Sequence, residues 1–437
     1  MDWRTGSAGD LGRALEAGEV DAEHLCDLFL QAAAPRADIY ARLTEDRARA
    51  EAAAASRRAR AGQRRGPLDG VPVAWKDLFD TAGTATEAGS ALLRDRVPER
   101  DADVLRAATL GGSVCLGKTH MSELAFSGLG LNPSTATPPN RHDPALVPGG
   151  SSSGAAAAVA FGLAPLAIGS DTGGSVRNPA AWNDLVGLKT TEGRLSLRGV
   201  VPLVESFDTV GPLCRTVEDA ALALALMESR RAVDLGGASL RGVRLLTLAP
   251  FADTSRDAPR AAFAAAEARL RDAGARVERG AVDAVDAAME LAAVVFTPEA
   301  YGTWRDAIER APEAMFAPIL ARFRSGRDFG GPDVMAAWRR LRALRVDYAR
   351  ATAGFDAVIL PTAMLLPPDR ERLLEDDEYY VNENLAALRN TRVGNLMGLC
   401  GLTLPTGTPS CGLMALCPPL QEERLLRLGA AMERALA

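Results

Sequence analysis

Between residues 71 and 360, short apolar runs alternate with segments of helical periodicity, and that alternation confines the chain to an α/β sheet covered by helices. Val71 to Trp75, Ser113 to Leu116, Leu166 to Ile168, Val243 to Leu248 and Phe355 to Leu360 read as strands, the last stopped by Pro361. Asp101 to Leu110, Gly154 to Gly162, Thr216 to Met227 and Pro259 to Ala273 read as helices between them. Residues 10–62 read as helical. Asp21 caps an apolar-periodic run, Ala22 to Ala33, and an Ala/Arg-rich stretch from Thr44 to Ala61 ends ahead of Gly66-Pro67. The segment 283–350 is Arg- and Ala-rich and mostly helical, and it is expected to wall a pocket as a helical insert. An amphipathic helix, Gln421 to Leu436, is the last element. No repeat and no long Pro/Ser linker divides the 437 residues, so one body is expected.

With 50 Lys+Arg against 56 Asp+Glu the formal charge is -6, which argues against a nucleic-acid surface and against docking on anionic lipid. No apolar run reaches the roughly 18 residues that mark a membrane span. The start, Met1-Asp2-Trp3-Arg4, lacks the charged-then-apolar pattern of a secretory leader, so a cytoplasmic protein is expected. Cys26, Cys115, Cys214, Cys400, Cys411 and Cys417 form no CxxC pair and sit mostly among Val, Leu and Gly, which reads as buried free thiols. His24, His120 and His142 have no metal-site spacing, and no metal is expected.

Two familiar patterns fail on context. Gly112 to Thr119 fits the phosphate-loop pattern GxxxxGK[ST], but a helix precedes the first glycine and Ser113-Val114-Cys115-Leu116 reads as the strand itself. Gly150-Ser151-Ser152-Ser153-Gly154 fits the GxSxG elbow, whose triad needs a histidine after the serine, and no histidine follows His142.

Two serine-bearing glycine loops are left, Pro148 to Gly154 and Gly169 to Ser175, with Lys76 alone at the end of an apolar strand. Glycine turns let backbone N–H groups converge on one point, which an oxyanion needs. A serine hydroxyl needs a base, and where histidine is scarce a desolvated lysine can act, because burial lowers its pKa. In the plainer reading Ser151 to Ser153 and Ser175 cap helices, and Lys76 is a surface lysine beside Asp77. Taken one at a time, the residues favour that plainer reading.

From Gly66 to about Met227 the chain resembles the amidase signature family. The likeness is carried by Gly66 to Asp77, Gly117-Lys118-Thr119, the two Ser/Gly loops, Ser175 to Ala181, Val186 to Lys189, Gly199 to Leu203, and Gly211 to Leu213 with Arg215 to Asp219. Lys76 precedes Ser151 by 75 residues and Ser151 precedes Ser175 by 24, as in that family. Weaker likeness runs through Phe355 to Thr362 and Asn395 to Pro405. His120 stands where the family commonly has Asn, and Trp182-Asn183-Asp184 replaces its usual Phe-Cys-Gly.

The resemblance implies a large mixed, twisted sheet with helices on both faces. Residues 1–65 would be its N-terminal helical part and 66–230 its signature core. It also implies no cofactor, a small-molecule amide as substrate and, as is frequent in the family, a homodimer. It assigns a Ser–cis-Ser–Lys triad: Ser175 as nucleophile, Ser151 as bridging serine on a cis Gly150–Ser151 bond, and Lys76 as base. Backbone N–H groups of Thr172, Gly173 and Gly174, with Ser175, would form the oxyanion hole. Ser153, Asp171 and Arg177 would orient the loop. His120, Met121 and Trp182, with the segment 283–350, are expected to shape the pocket. The reaction so implied is hydrolysis of a carboxylic amide through an acyl-enzyme, releasing acid and ammonia or amine. The alternatives are cleavage of a carbamate, urea-like or ester bond by the same apparatus, and the amidase component of a tRNA-dependent amidotransferase. A non-enzymatic scaffold ranks last, since a scaffold has no need of the three triad side chains.

Overall fold

The computed structural model describes residues 2–437. Eleven strands make one sheet. They are β1 (Tyr40–Leu43), β2 (Pro72–Lys76), β3 (Val114–Thr119), β4 (Leu166–Ser170), β5 (Val186–Lys189), β6 (Val210–Cys214), β7 (Arg244–Leu248), β8 (Arg276–Gly280), β9 (Ala357–Pro361), β10 (Cys400–Pro405) and β11 (Gly412–Cys417). Their order is β1-β3-β2-β4-β6-β5-β10-β11-β9-β7-β8. The sheet is mixed. β2 lies between parallel β3 and β4, and β7 lies between parallel β8 and β9. From β4 through β6, β5, β10 and β11 to β9 the pairing is antiparallel. Helices cover both faces, so β2, β3, β4, β9 and β11 are buried along their whole length and read as continuous apolar runs rather than alternating ones.

The capping residues act where the sequence places them. Asp21 accepts from the His24 N–H at 2.7 Å and opens the helix Ala22–Ala33. The Thr216 hydroxyl accepts from the Asp219 N–H at 3.1 Å and opens Val217–Glu228. The segment 283–350 is helical, with helices at Asp283–Met289, Ala292–Arg310, Ala317–Arg324 and Gly331–Thr352. All six cysteines are buried and unpaired. Among the described residues no helix is long and apolar enough to cross a membrane.

Three local readings change. Residues 10–62 are not helical throughout, because β1 intervenes and pairs antiparallel with β3, held by the Tyr40 hydroxyl donating to Leu163 O at 3.1 Å. The strand expected at 113–116 continues through Gly117-Lys118-Thr119, and Lys118 Nζ donates to Thr86 Oγ1 at 2.8 Å and Asp77 Oδ1 at 3.1 Å inside the core. The phosphate-loop look-alike is therefore strand, with its lysine turned inward. β5, β6, β8, β10 and β11 complete the sheet beyond the strands read from the sequence.

Candidate active site

β2 ends in Lys76 and β4 ends in Ser170. The two strands are parallel neighbours, paired from Val73 with Leu166 to Trp75 with Ile168, so their carboxyl ends leave the sheet side by side. Open α/β sheets bind ligands at such ends. Lys76 Nζ lies 2.6 Å from Ser151 Oγ and 2.8 Å from Ser170 Oγ, with the lysine 0 % exposed. Both partners are neutral hydroxyls. Burial pushes the Lys76 pKa down to about 7, against the opposing pull of the Asp208 and Asp171 charges. Near neutral pH a large fraction of Lys76 is thus an uncharged amine, which can accept a proton.

Ser151 follows a cis peptide bond from Gly150. Gly150 has no room for a side chain: a Cβ there would lie 2.7 Å from Gly130 N and from Ser122 Oγ. The Ser122 N–H donates to Ser151 O at 3.1 Å, and the Ser152 N–H donates to Ser175 O at 3.3 Å, which ties the two serine loops together. The Ser152 hydroxyl donates to Ser170 O at 3.2 Å and accepts from the Ser170 N–H at 3.3 Å.

The turn between β4 and the helix Arg177–Trp182 is wound around one carboxylate. Asp171 accepts from Gly174 N (2.8 Å), Val176 N (3.1 Å), Arg177 Nη2 (2.8 Å), Arg177 Nε (3.0 Å) and Asn395 Nδ2 (3.0 Å). Burial raises its pKa, but the Arg177 charge and hydrogen bonds, with Lys189 and Asn395, outweigh that and hold it well below the usual carboxylate range. Arg177 also donates to Thr391 O at 2.7 Å and Asn395 Oδ1 at 2.6 Å. Gly174 is required here: its φ is 138°, and a Cβ would sit 2.1 Å from Thr391 Oγ1. Asp171→Ala strands a buried guanidinium, so we expect a loss of about 3–5 kcal/mol in stability. The check is the thermal midpoint of the variant, and an unchanged midpoint would show that the pair is not an anchor.

The cavity in front of Ser175 has a volume of about 350 Å³. Thr172, Gly173 and Ser175 line it, and the segment 283–350 supplies Met289, Phe296 and Arg322. Ser175 itself is 4 % exposed. The Gly174 N–H is engaged with Asp171, which leaves the N–H groups of Thr172, Gly173 and Ser175 for an oxyanion. Thr172 is held by its hydroxyl donating to Asp208 Oδ1 at 2.5 Å.

The expected site residues divide accordingly. Lys76 contacts Ser151 directly, Ser175 is joined to the Ser151 loop through the Ser152 N–H, and Asp171 and Arg177 hold the turn that carries Ser175. The Ser153 Oγ is buried without a hydrogen-bond partner, whereas the neighbouring Ser152 hydroxyl bonds to Ser170. His120, Met121 and Trp182 do not line the cavity. His120 Nε2 lies 3.1 Å from Ala37 O, Met121 is buried with its carbonyl accepting from Asn132 Nδ2 at 2.8 Å, and the Trp182 Nε1–H donates to Leu365 O at 3.1 Å. Ser170 and Asp208 are site residues that sequence reasoning did not single out; Ser170 lies within the second glycine loop, where its place at a strand end is its one signal.

A family model described as Amidase matches residues 28–426. The chain is 34% identical over 410 residues to 2-amino-5-chloromuconic acid deaminase of Comamonas testosteroni, covering 91% of this chain and 88% of that one. It is 34% identical, over an alignment of 481 residues, to a glutamyl-tRNA(Gln) amidotransferase component of Acidothermus cellulolyticus, covering 98% and 94%. A solved structure described as an amidase superposes with a TM-score of 0.89 at 29% identity, covering 99% of this chain and 100% of that one.

Proposed function

Because this chain belongs to the amidase family, hydrolases of carbon–nitrogen bonds, we propose that Lys76, Ser151 and Ser175 cleave a carboxylic amide through an acyl-enzyme. The contact that supports this most directly is Lys76 Nζ at 2.6 Å from Ser151 Oγ, in a lysine whose pKa lies at about 7. Neutral Lys76 takes a proton from Ser151 as Ser151 takes one from Ser175. Ser175 Oγ attacks the carbonyl carbon, and the N–H groups of Thr172, Gly173 and Ser175 donate to the oxyanion. Each such donor is worth about 10²–10³ in rate. Ser151 then passes its proton to the departing nitrogen, which cannot leave as an anion. Water follows the same route against the acyl-enzyme and frees the acid.

The likeness to an amidotransferase component supports a second reading, in which the released ammonia is handed to a partner. The six unpaired cysteines suit the reducing cytoplasm that completes the main reading. The test is the purified chain alone against a panel of aryl and alkyl amides, with ammonia or amine release as readout and a fluorophosphonate probe reporting on Ser175. Turnover together with labelling of the Ser175 peptide is expected. Turnover only with added partner proteins favours the second reading, and a folded protein that neither turns over nor labels refutes both. Among the described residues no group of three or more His, Cys, Asp or Glu could hold a metal ion, and a chelator is expected to leave turnover unchanged.

A further inference from the structure

We propose that Arg322 and Arg392 form a carboxylate-binding subsite beside Ser175, so that the substrate is an amide bearing a free carboxylate. This rests on the hydrolase reading for what happens to the bound molecule, and on the cavity alone for the binding.

Both arginines line the cavity that Ser175 faces. Arg392 belongs to the helix Arg389–Leu396, and its stem runs beside the turn that carries the nucleophile: a Cβ on Gly173 would meet its Cγ at 3.9 Å. Arg322 belongs to the helix Ala317–Arg324; it lies 4.2 Å above the Phe126 ring and donates to Phe126 O at 2.9 Å. Neither guanidinium has a carboxylate partner among the described residues. The other arginine of this region, Arg177, is neutralised by Asp171 at 2.8 Å. Arg215 also lacks a carboxylate partner, but it donates to four backbone carbonyls, those of Gly6, Pro165, Arg4 and Val159. Arg392 has no such structural use, and Arg322 has a single carbonyl.

The one acidic residue in the lining, Glu290, is exposed, in the connection between Asp283–Met289 and Ala292–Arg310. Much of the remaining lining is apolar or small, including Phe126, Leu203, Met289, Phe296 and Leu388. Burial, and the nearness of Arg322, push the Arg392 pKa down to about 9, and burial pushes Arg322 down to about 10. Two partly buried like charges in one largely apolar cavity are unfavourable until an anion joins them. A carboxylate matches the planar guanidinium fork. Thr391 and Asn395, which grip Gly173 O and Asp171, sit on the same helix as Arg392. The Arg392 side of the subsite is therefore tied to the turn that carries Ser175 through one helix, and substrate length becomes a selection rule.

The test compares ammonia release from the monoamides of four-, five- and six-carbon dicarboxylic acids with release from their methyl esters. At least one monoamide is expected to exceed its ester in kcat/KM by about 100-fold, the scale at which a site built for a polar group rejects its absence. Arg392→Gln and Arg322→Gln should reduce that ratio at least about tenfold, with partial recovery in Arg392→Lys; a merely structural role would lower both substrates together and leave the ratio intact. A ratio within about threefold of one for every pair in the wild type would overturn the proposal, whether or not the variants fold. If no amide turns over, calorimetric titration of the wild type with the free dicarboxylates decides. Submillimolar binding that weakens in Arg392→Gln keeps the subsite while the hydrolase reading falls, and absence of binding removes the subsite.

Discussion

Ser175→Ala is expected to lower kcat by about 10⁴–10⁶-fold and to abolish labelling by a fluorophosphonate, with the thermal midpoint unchanged within a few degrees. The size follows from the chemistry. Without the hydroxyl no acyl-enzyme forms, and only the backbone N–H donors of residues 172, 173 and 175 and the binding cavity remain to assist water. The unchanged fold follows from the contacts. Ser175 is tied in by its backbone carbonyl, which accepts from the Ser152 N–H at 3.3 Å, and alanine keeps that carbonyl. Its neighbours in the turn are held by Asp171 and not by the Ser175 side chain. A variant with more than about a tenth of wild-type turnover would remove Ser175 as nucleophile.

Lys76→Met is expected to cost about 10³–10⁴ in kcat/KM near neutral pH, and it should also erase one limb of the pH profile. The working form of Lys76 is the neutral amine, and its pKa lies at about 7. In the wild type, log kcat/KM should therefore rise with pH through about 7 and level off above it. Below that point each unit of acidification protonates the lysine further and lowers the rate about tenfold. In Lys76→Met this limb vanishes, and the residual activity recovers in part toward alkaline pH, where hydroxide substitutes for the base. A wild-type profile that is flat between about pH 5.5 and 8.5 would remove Lys76 from the proton path.

What the residues disclosed in advance depended on how local the cause was. Caps at Asp21 and Thr216 are three-residue matters, and the helices begin there. β1 was hidden because only Tyr40 of its four residues is buried, so no alternation marks it. β6 was hidden because Val210-Gly211-Pro212-Leu213-Cys214 carries a glycine and a proline, which speak against a central strand; the structure tolerates Pro212 because β5 pairs with β6 only at Leu213 and Cys214. The candidate triad was legible because three separated segments share the family's spacing. Which serine steadies the loop was not: Ser152 and Ser153 are adjacent, identical in type, and distinguished only by where the backbone turns. Arg322 and Arg392 were invisible for a different reason. Each sits in a polar helical stretch with other arginines nearby, and only the fold shows which guanidinium looks into the cavity.

The turn that carries Ser175 is clasped by residues more than 200 positions later in the sequence: Thr391 Oγ1 donates to Gly173 O at 2.7 Å, and Asn395 reaches Asp171 at 3.0 Å. β10, which borders β5 and thereby closes the middle of the sheet, comes later still. A nascent chain emerging from the ribosome with its motif-bearing half complete has every reactive side chain but lacks the clasp that shapes them. Without Thr391 and Asn395 the turn around Asp171 loses two of its holds, so the motif-bearing segment taken alone is expected to be inactive.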